Sequence, residues 1–163
     1  APARVFYDQN DVVTAFENSE LERDVIIVLI GQGPKSNGMP ELHKLTPPLG
    51  SLLEKGFNVA LVTDGRMSGA SGAVPAAIQI TPEAADNGFL TRIKDGDMIC
   101  LDCEKATLTN LAEDFNKREN LHDKAFKPSE NTTYQTMGRN LFAPLRNVVS
   151  GAESGGSIFF EEM

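Results

Sequence analysis

The sequence predicts a mixed α/β domain, and three observations lead to that class. Residues 25–30 form a continuous aliphatic run, which is typical of a strand buried on both faces. Residues 57–63 predict a second buried strand. Between these strands, residues 41–54 place leucine side chains on one face of a helix. Buried strands alternating with an amphipathic helix are typical of a mixed α/β fold.

Shorter signals predict the remaining elements. Residues 11–23 carry apolar side chains at loosely helical spacing. The Pro47-Pro48 pair is predicted to split the helix over 41–54, because proline has no backbone hydrogen to donate. Further along the chain, the sequence predicts a strand over 74–80, a helix that starts at Thr81-Pro82-Glu83 and ends at Gly88, a turn at Asp95-Gly96, strands over 98–101 and 106–108, a weak helical stripe over 111–127, a polar segment over 128–140 and a helix over 141–149.

Length and composition limit the classes of protein that the chain can be. Its 163 residues suit a single domain that spans 1–163. The formal net charge of −8 argues against a sequence-independent nucleic-acid binder, which needs clustered Lys and Arg. No apolar run approaches the roughly 20 residues of a membrane span. The 2 cysteines exclude a disulfide scaffold, so we expect a reducing, cytoplasmic location.

The first loop of interest, GQGPKSNGMPE, follows the strand over 25–30. It lacks the third glycine of a dinucleotide fingerprint, and Gly38 is followed by Met39-Pro40 rather than by the Lys-Ser of a phosphate loop. Nucleotide binding is therefore disfavoured. The carboxylate of Glu41 has two open interpretations, a helix-start residue that favours the helix dipole or a ligand for a hard cation.

The second loop, TDGRMSGASG over 63–72, follows the strand over 57–63. Its glycines permit close approach of a ligand to the backbone, and free N–H groups there can hold an oxyanion. A serine beside such groups can act as a nucleophile or a base. The loop is open to two interpretations, an active-site loop or a structural cluster of turns.

Two other features favour ordinary structural roles. Cys100 and Cys103 lie on or beside a predicted strand, and no second cysteine pair completes a tetrahedral metal site. We interpret them as ordinary, partly buried thiols. His43 lies in an amphipathic stretch and is interpreted as a surface or packing residue.

Long segments of the sequence resemble one enzyme family. They are GQGPKSNGMPELHKLTPPLG, LVTDGRMSGASGAVPAAIQITPEA and IKDGDMICLD, with PARVF near the start and GRNLFAPLRNVVSGAESGGSIFF near the end. These segments are similar to the C-terminal part of the dihydroxy-acid dehydratase / 6-phosphogluconate dehydratase family. The first two loops are more similar to the phosphogluconate branch than to the dihydroxy-acid branch. Ala73 is one departure, since the resemblance leads us to expect lysine there.

The resemblance implies a fold and a reaction. The implied fold is a swivelling β/β/α domain, with a compact barrel-like mixed sheet flanked by helices. The implied reaction removes water from a phosphorylated sugar acid, 6-phospho-D-gluconate, to give 2-keto-3-deoxy-6-phosphogluconate in the Entner–Doudoroff pathway. An iron–sulfur cluster, 4Fe–4S by resemblance, acts as the Lewis acid on the departing hydroxyl, and Mg²⁺ holds the carboxylate side of the substrate. The cluster ligands belong to an N-terminal domain, so we expect this chain alone to be inactive.

The resemblance also implies roles for individual residues. The base of the family corresponds to Ser68, and its Mg²⁺ ligand from this half corresponds to Glu41. Arg66, with Gly69 and Ser71 in the same loop, is a candidate for binding substrate. Lys35 is a further candidate for the phosphate. We expect the chain to work with its own N-terminal domain, in a homodimer.

Two alternatives stay open at this point. One is a dihydroxy-acid or sugar-acid dehydratase of the same family. The other is a stand-alone module that binds phosphorylated sugar acids without catalysing a reaction.

Overall fold

The described part of the chain forms one parallel sheet and one small antiparallel sheet, with short helices between the strands. The computed structural model describes residues 1–67, 72–121 and 141–159. Its strands are β1 (Ala3–Phe6), β2 (Val25–Leu29), β3 (Val59–Thr63), β4 (Ala76–Ala77), β5 (Ile99–Asp102) and β6 (Thr107–Asn110). Its helices are α1 (Gln9–Glu17), α2 (Pro34–Asn37), α3 (Thr46–Glu54) and α4 (Ala143–Arg146). The predicted mixed α/β class is confirmed.

The larger sheet has the order β1-β2-β3-β4, and all of its strand pairs are parallel. Parallel neighbours need crossover connections, which α1 supplies between β1 and β2 and α2 and α3 supply between β2 and β3. The antiparallel hairpin β5-β6 meets the edge of this sheet beside β1. There, Ala3 N donates to Asp97 O at 2.7 Å and Ile99 N donates to Ala1 O at 3.0 Å. Because β1 to β4 are all parallel, their carboxyl ends lie at the same edge of the larger sheet.

The parallel sheet separates two hydrophobic cores. Along β2, Ile27 and Leu29 belong to one core, while Ile26 and Val28 belong to the other. This alternation follows from the two-residue period of a strand. The first core includes leucines of α3, and the second includes Ile99 of the hairpin. Both faces of β2 and β3 are thus covered, as their continuous apolar sequence predicts.

The prolines within residues 41–54 begin a helix and do not split one. Pro47 and Pro48 lie in the first turn of α3, where no intrahelical partner is needed for a backbone N–H. A 3-10 turn over His43–Leu45 precedes the helix. The prediction of one interrupted helix was wrong, and Glu41 consequently lies in the loop before it.

Two predicted elements are shorter than expected. The strand predicted over 74–80 is reduced to β4, because Pro75 has no N–H for a sheet and Gln79 adopts a positive φ of 54°. The helix predicted over 141–149 is reduced to α4. Within the helical stripe predicted over 111–127, the described part forms a 3-10 turn at Phe115–Lys117.

Strand β1 and helix α2 were not predicted. Strand β1 has only four residues and includes the charged Arg4, so its local signal is weak. It exists because it pairs in parallel register with β2. The polar segment predicted over 128–140 lies outside the described residues. No helix in the described parts of the chain is long and apolar enough to cross a membrane.

Candidate active site

The two glycine-rich loops meet at the carboxyl edge of the parallel sheet. Glu41 and Arg66 form an isolated parallel bridge between the loops, and Leu42 N donates to Arg66 O at 3.2 Å. The loops converge because they follow β2 and β3, which are neighbouring strands. This edge is the usual ligand-binding position of an open parallel sheet.

The side chains of Glu41 and Arg66 form an open ion pair at this edge. The Arg66 Nη1 and Glu41 Oε2 atoms are 3.6 Å apart, and the side chains are 47% and 24% exposed, respectively. Arg66 Nε also donates to the carbonyl of Met39 at 3.0 Å, which orients the guanidinium along the first loop. An ion pair this exposed contributes little to stability. Both groups can therefore exchange their partner for a charged ligand at small cost.

A buried carboxylate, Asp64, fixes the two loops to each other. It accepts hydrogen bonds from the backbone N–H groups of Gly31 at 3.2 Å, Gln32 at 2.8 Å and Ala84 at 3.0 Å. Burial raises the pKa of Asp64 to about 6, while the three N–H donors act in the opposite direction. The neighbouring Glu83 carboxylate also raises this pKa.

A second buried carboxylate, Glu83, holds the start of α2. It accepts from the backbone N–H groups of Lys35 and Ser36, both at 2.9 Å, and from the Ser36 hydroxyl at 2.8 Å. A Cβ atom on Gly33 would lie 2.4 Å from Glu83 Oε2, so glycine is required there. The sequence had predicted that Glu83 begins its own helix. Only a 3-10 turn, Ala84–Asp86, follows it, and its carboxylate serves α2.

The predicted site residues have different outcomes. Glu41 and Arg66 are brought together, whereas the Lys35 ammonium binds both carboxylate oxygens of Asp86, at 2.9 and 2.8 Å. This hydrogen bonding raises the pKa of Lys35. The three remaining candidates lie outside the described residues, so their roles stay predictions. They are Ser68, Gly69 and Ser71.

The described residues can supply one metal-binding side chain, and they do not form a complete metal site. In the described ranges, no three His, Cys, Asp or Glu side chains come together around a common point. Glu41 presents one carboxylate, a donor that suits Mg²⁺. Cys100 and Cys103 are free and exposed, so they were wrongly interpreted as partly buried. Both lie on or beside the β5 strand of the hairpin, and they do not fit an iron–sulfur cluster.

Sequence reasoning missed the residues that build this edge from within. From the sequence, no individual role was assigned to Asp64 in the second loop or to Gln32 in the first loop. The Gln32 side chain donates to Tyr7 O at 2.8 Å and accepts from Asn37 Nδ2 at 3.0 Å, which joins three segments. One local signal was available, since an acid directly after a buried strand is commonly satisfied by neighbouring backbone N–H groups.

The fold and this edge define an α/β domain with a candidate ligand-binding site at the carboxyl end of its parallel sheet. Residues 1–156 match the sequence model of a family described as "Dihydroxy-acid/6-phosphogluconate dehydratase C-terminal". The chain belongs to this family.

Individual relatives show which branch the chain resembles. The phosphogluconate dehydratase of Pseudomonas aeruginosa is 48% identical over 163 residues, which is 100% of this chain and 26% of that protein. The phosphogluconate dehydratase of Escherichia coli K12 is 50% identical over 157 residues, or 96% of this chain and 26% of that protein. A dihydroxy-acid dehydratase of Caldicellulosiruptor bescii is 38% identical over 110 residues, or 66% of this chain and 19% of that protein. The chain therefore spans about a quarter of the length of the phosphogluconate dehydratases that it matches.

The buried Asp64 predicts a particular dependence of stability on pH. Because its pKa of about 6 in the folded chain exceeds the ordinary 3.8, folding favours the protonated form. The protonated Asp64 side chain therefore adds to the free energy of unfolding. This stabilising contribution is fully present below about pH 4 and is lost as the pH rises through 6. The difference in the free energy of unfolding between wild type and Asp64→Asn should therefore change by about 3 kcal/mol across this range.

Chemical denaturation of both chains at half-unit intervals from pH 4 to 7.5 measures this difference. Comparison with the variant cancels the opposite effect of acids whose pKa is lowered, such as Asp97. A difference that stays constant across the range would contradict the assignment. Carbon-13 NMR titration of the Asp64 carboxyl gives a direct second measurement in the wild-type chain.

Proposed function

We propose that the chain is the C-terminal domain of a hydro-lyase that dehydrates 6-phospho-D-gluconate to 2-keto-3-deoxy-6-phosphogluconate. The observation that carries this proposal is the level of identity along nearly the whole chain to proteins named phosphogluconate dehydratase. The match to a dihydroxy-acid dehydratase is lower and covers a smaller part of the chain. The geometry is compatible, since a carboxylate and a guanidinium face solvent together at the sheet edge.

The proposed reaction needs a proton acceptor, and we propose that this chain supplies it. Dehydration breaks the C2–H and C3–O bonds of the substrate, and the enol that results converts to the keto acid. We propose that Ser68 acts as an alkoxide that accepts the proton from C2 and becomes a hydroxyl, and that backbone N–H groups of the loop, including that of Gly69, stabilise the negative charge of the alkoxide. Arg66 and Ser71 bind the substrate. Ser68 follows Met67, whose sulfur accepts from the Thr46 hydroxyl at 3.6 Å, so the start of its loop is anchored to α3.

Glu41 is proposed as one ligand of Mg²⁺. The bound ion would neutralise negative charge on the carboxylate side of the substrate. Arg66 is one partner of Glu41, so a cation bound to this carboxylate would share it with the guanidinium or displace that contact. Since the described residues do not fit an iron–sulfur cluster, we assign cluster binding to the N-terminal domain and no step of the cluster chemistry to this chain.

The same proposal covers the setting of the enzyme. We propose a swivelling domain that packs against its own N-terminal domain in a homodimer, and that is inactive without that domain. The free, exposed cysteines suit a reducing cytoplasm, where the product would enter the Entner–Doudoroff pathway.

The substrate assignment predicts a clear preference. A full-length enzyme that carries this chain should turn over 6-phospho-D-gluconate at least about 100-fold more efficiently than 2,3-dihydroxyisovalerate, since a lost charged contact alone is worth roughly 10- to 100-fold. Coupled assays of the keto-acid products give kcat/KM for both substrates. A preference for the second substrate would place the enzyme in the dihydroxy-acid branch.

The Ser68→Ala variant of that enzyme should lose nearly all turnover, by about 100-fold or more, because the proton acceptor is removed. The visible spectrum of the cluster should not change. Ser51→Ala on α3 is a matched control that should keep wild-type activity. Turnover of Ser68→Ala within about threefold of wild type would rule out this serine as the base.

The Glu41→Gln variant should need more Mg²⁺ for half-maximal activity, by about tenfold, because a neutral amide is a poorer ligand than a carboxylate. Titration of Mg²⁺ into metal-stripped enzyme measures the change. Glu54→Gln, which alters an exposed acid at the end of α3, should leave the titration unchanged. If both variants match wild type, Glu41 is a structural loop residue only.

A further inference from the structure

A cavity of about 690 Å³ opens beside the candidate active site, between the loop after β2 and the C-terminal segment 142–158. Its size lies within the roughly 300–1,000 Å³ of small-molecule sites. The two walls are formed chiefly by Pro34, Gly38 and Met39 on one side and by Leu145, Arg146 and Gly156 on the other.

The cavity lies next to the Glu41–Arg66 pair, although neither of these two residues is among its described lining residues. Met39 lines it, and the carbonyl of Met39 accepts from Arg66 Nε at 3.0 Å. Pro40 also lines it and directly precedes Glu41. Consecutive Cα atoms are about 3.8 Å apart, so a six-carbon chain with one end at Glu41 can reach the cavity with the other.

A cationic side chain lines this cavity. Among its described lining residues, Arg146 is the only one with an ionisable side chain. Gly38, at the end of α2, has a positive φ of 67°, and a Cβ atom there would lie 3.8 Å from Arg146 Cδ. This distance is an ordinary van der Waals separation, so the aliphatic part of Arg146 lies against this end of the loop. A guanidinium has five N–H donors, so it can bind two oxygens of a phosphate while keeping another partner.

Lys35 is less suited to the same role. Its ammonium binds both oxygens of Asp86, and Lys35 is not among the described residues that line the cavity. A phosphate bound by Lys35 would have to displace a carboxylate from it.

We propose that Arg146 is a specificity-determining residue that binds the phosphate of the substrate in this cavity. The inference rests on the proposed function, and it assigns the phosphate end of the substrate to this cavity. The phosphate lies between α4 and the end of α2, while the carboxylate end lies toward Glu41 and Arg66.

The test uses a full-length enzyme that carries this chain. Arg146→Gln should raise the KM for 6-phospho-D-gluconate by about 10- to 100-fold, the loss expected for a charge-assisted pair of hydrogen bonds. It should also weaken competitive inhibition by inorganic phosphate, while inhibition by D-gluconate, which lacks the phosphate, should change by less than about twofold. Arg146→Lys should give an intermediate KM, because it keeps the charge but loses the planar fork.

Arg23→Gln removes the same charge from an exposed position elsewhere and should match wild type. An unchanged KM in Arg146→Gln, or equal weakening of D-gluconate and phosphate inhibition, overturns the inference. If Arg146→Gln does not fold, Arg146→Lys decides, and a wild-type KM in that variant overturns the inference. The proposed function fails separately, if the unmodified enzyme does not turn over 6-phospho-D-gluconate.

Discussion

The carboxyl edge of the sheet depends on the burial of one carboxylate, Asp64. Its two oxygens receive three backbone N–H groups, which come from the loop after β2 and from the turn after Glu83. Moving a carboxylate out of water is costly, and these hydrogen bonds offset that cost only when both chain segments are in place. The requirement is therefore mutual: Asp64 is stable in the core because the loops close around it, and the loops are fixed because Asp64 is there.

The acidic residues of the chain divide into two groups with different roles. Asp64 and Glu83 are buried and serve backbone N–H groups, so they are committed to structure. Glu41 is partly exposed and is paired loosely with Arg66, so its charge faces outward. This division gives a rigid base beneath an adaptable surface, which is what a binding site for a charged ligand needs. Glu83 extends the rigid base to α2, and the end of α2 forms one wall of the cavity.

The parts of this fold that could be predicted from sequence are those with a local cause. Strands β2 and β3 follow from apolar runs, and the glycine-rich loops follow from composition. Strand β1 has too short a signal, because it is stabilised by pairing with β2 across the chain. The role of Glu83 depends on Gly33, fifty residues earlier in the sequence, and no local pattern shows such a partner. Family resemblance selected Glu41 and Arg66, but it did not show that they contact each other or that Lys35 binds Asp86.

The same division is compatible with a chain that spans about one quarter of the length of its relatives. In the described part of the chain, the exposed groups at the sheet edge are suited to recognising charge, and they do not form a complete set of metal ligands. A parallel sheet presents such groups on loops at one edge, so a second domain that faces this edge can add ligands without altering the core. The rigid base made by Asp64 and Glu83 would then keep its shape while its partner approaches. In this arrangement, the buried carboxylates of Asp64 and Glu83 would hold the candidate site in place from beneath it, through their hydrogen bonds to backbone N–H groups.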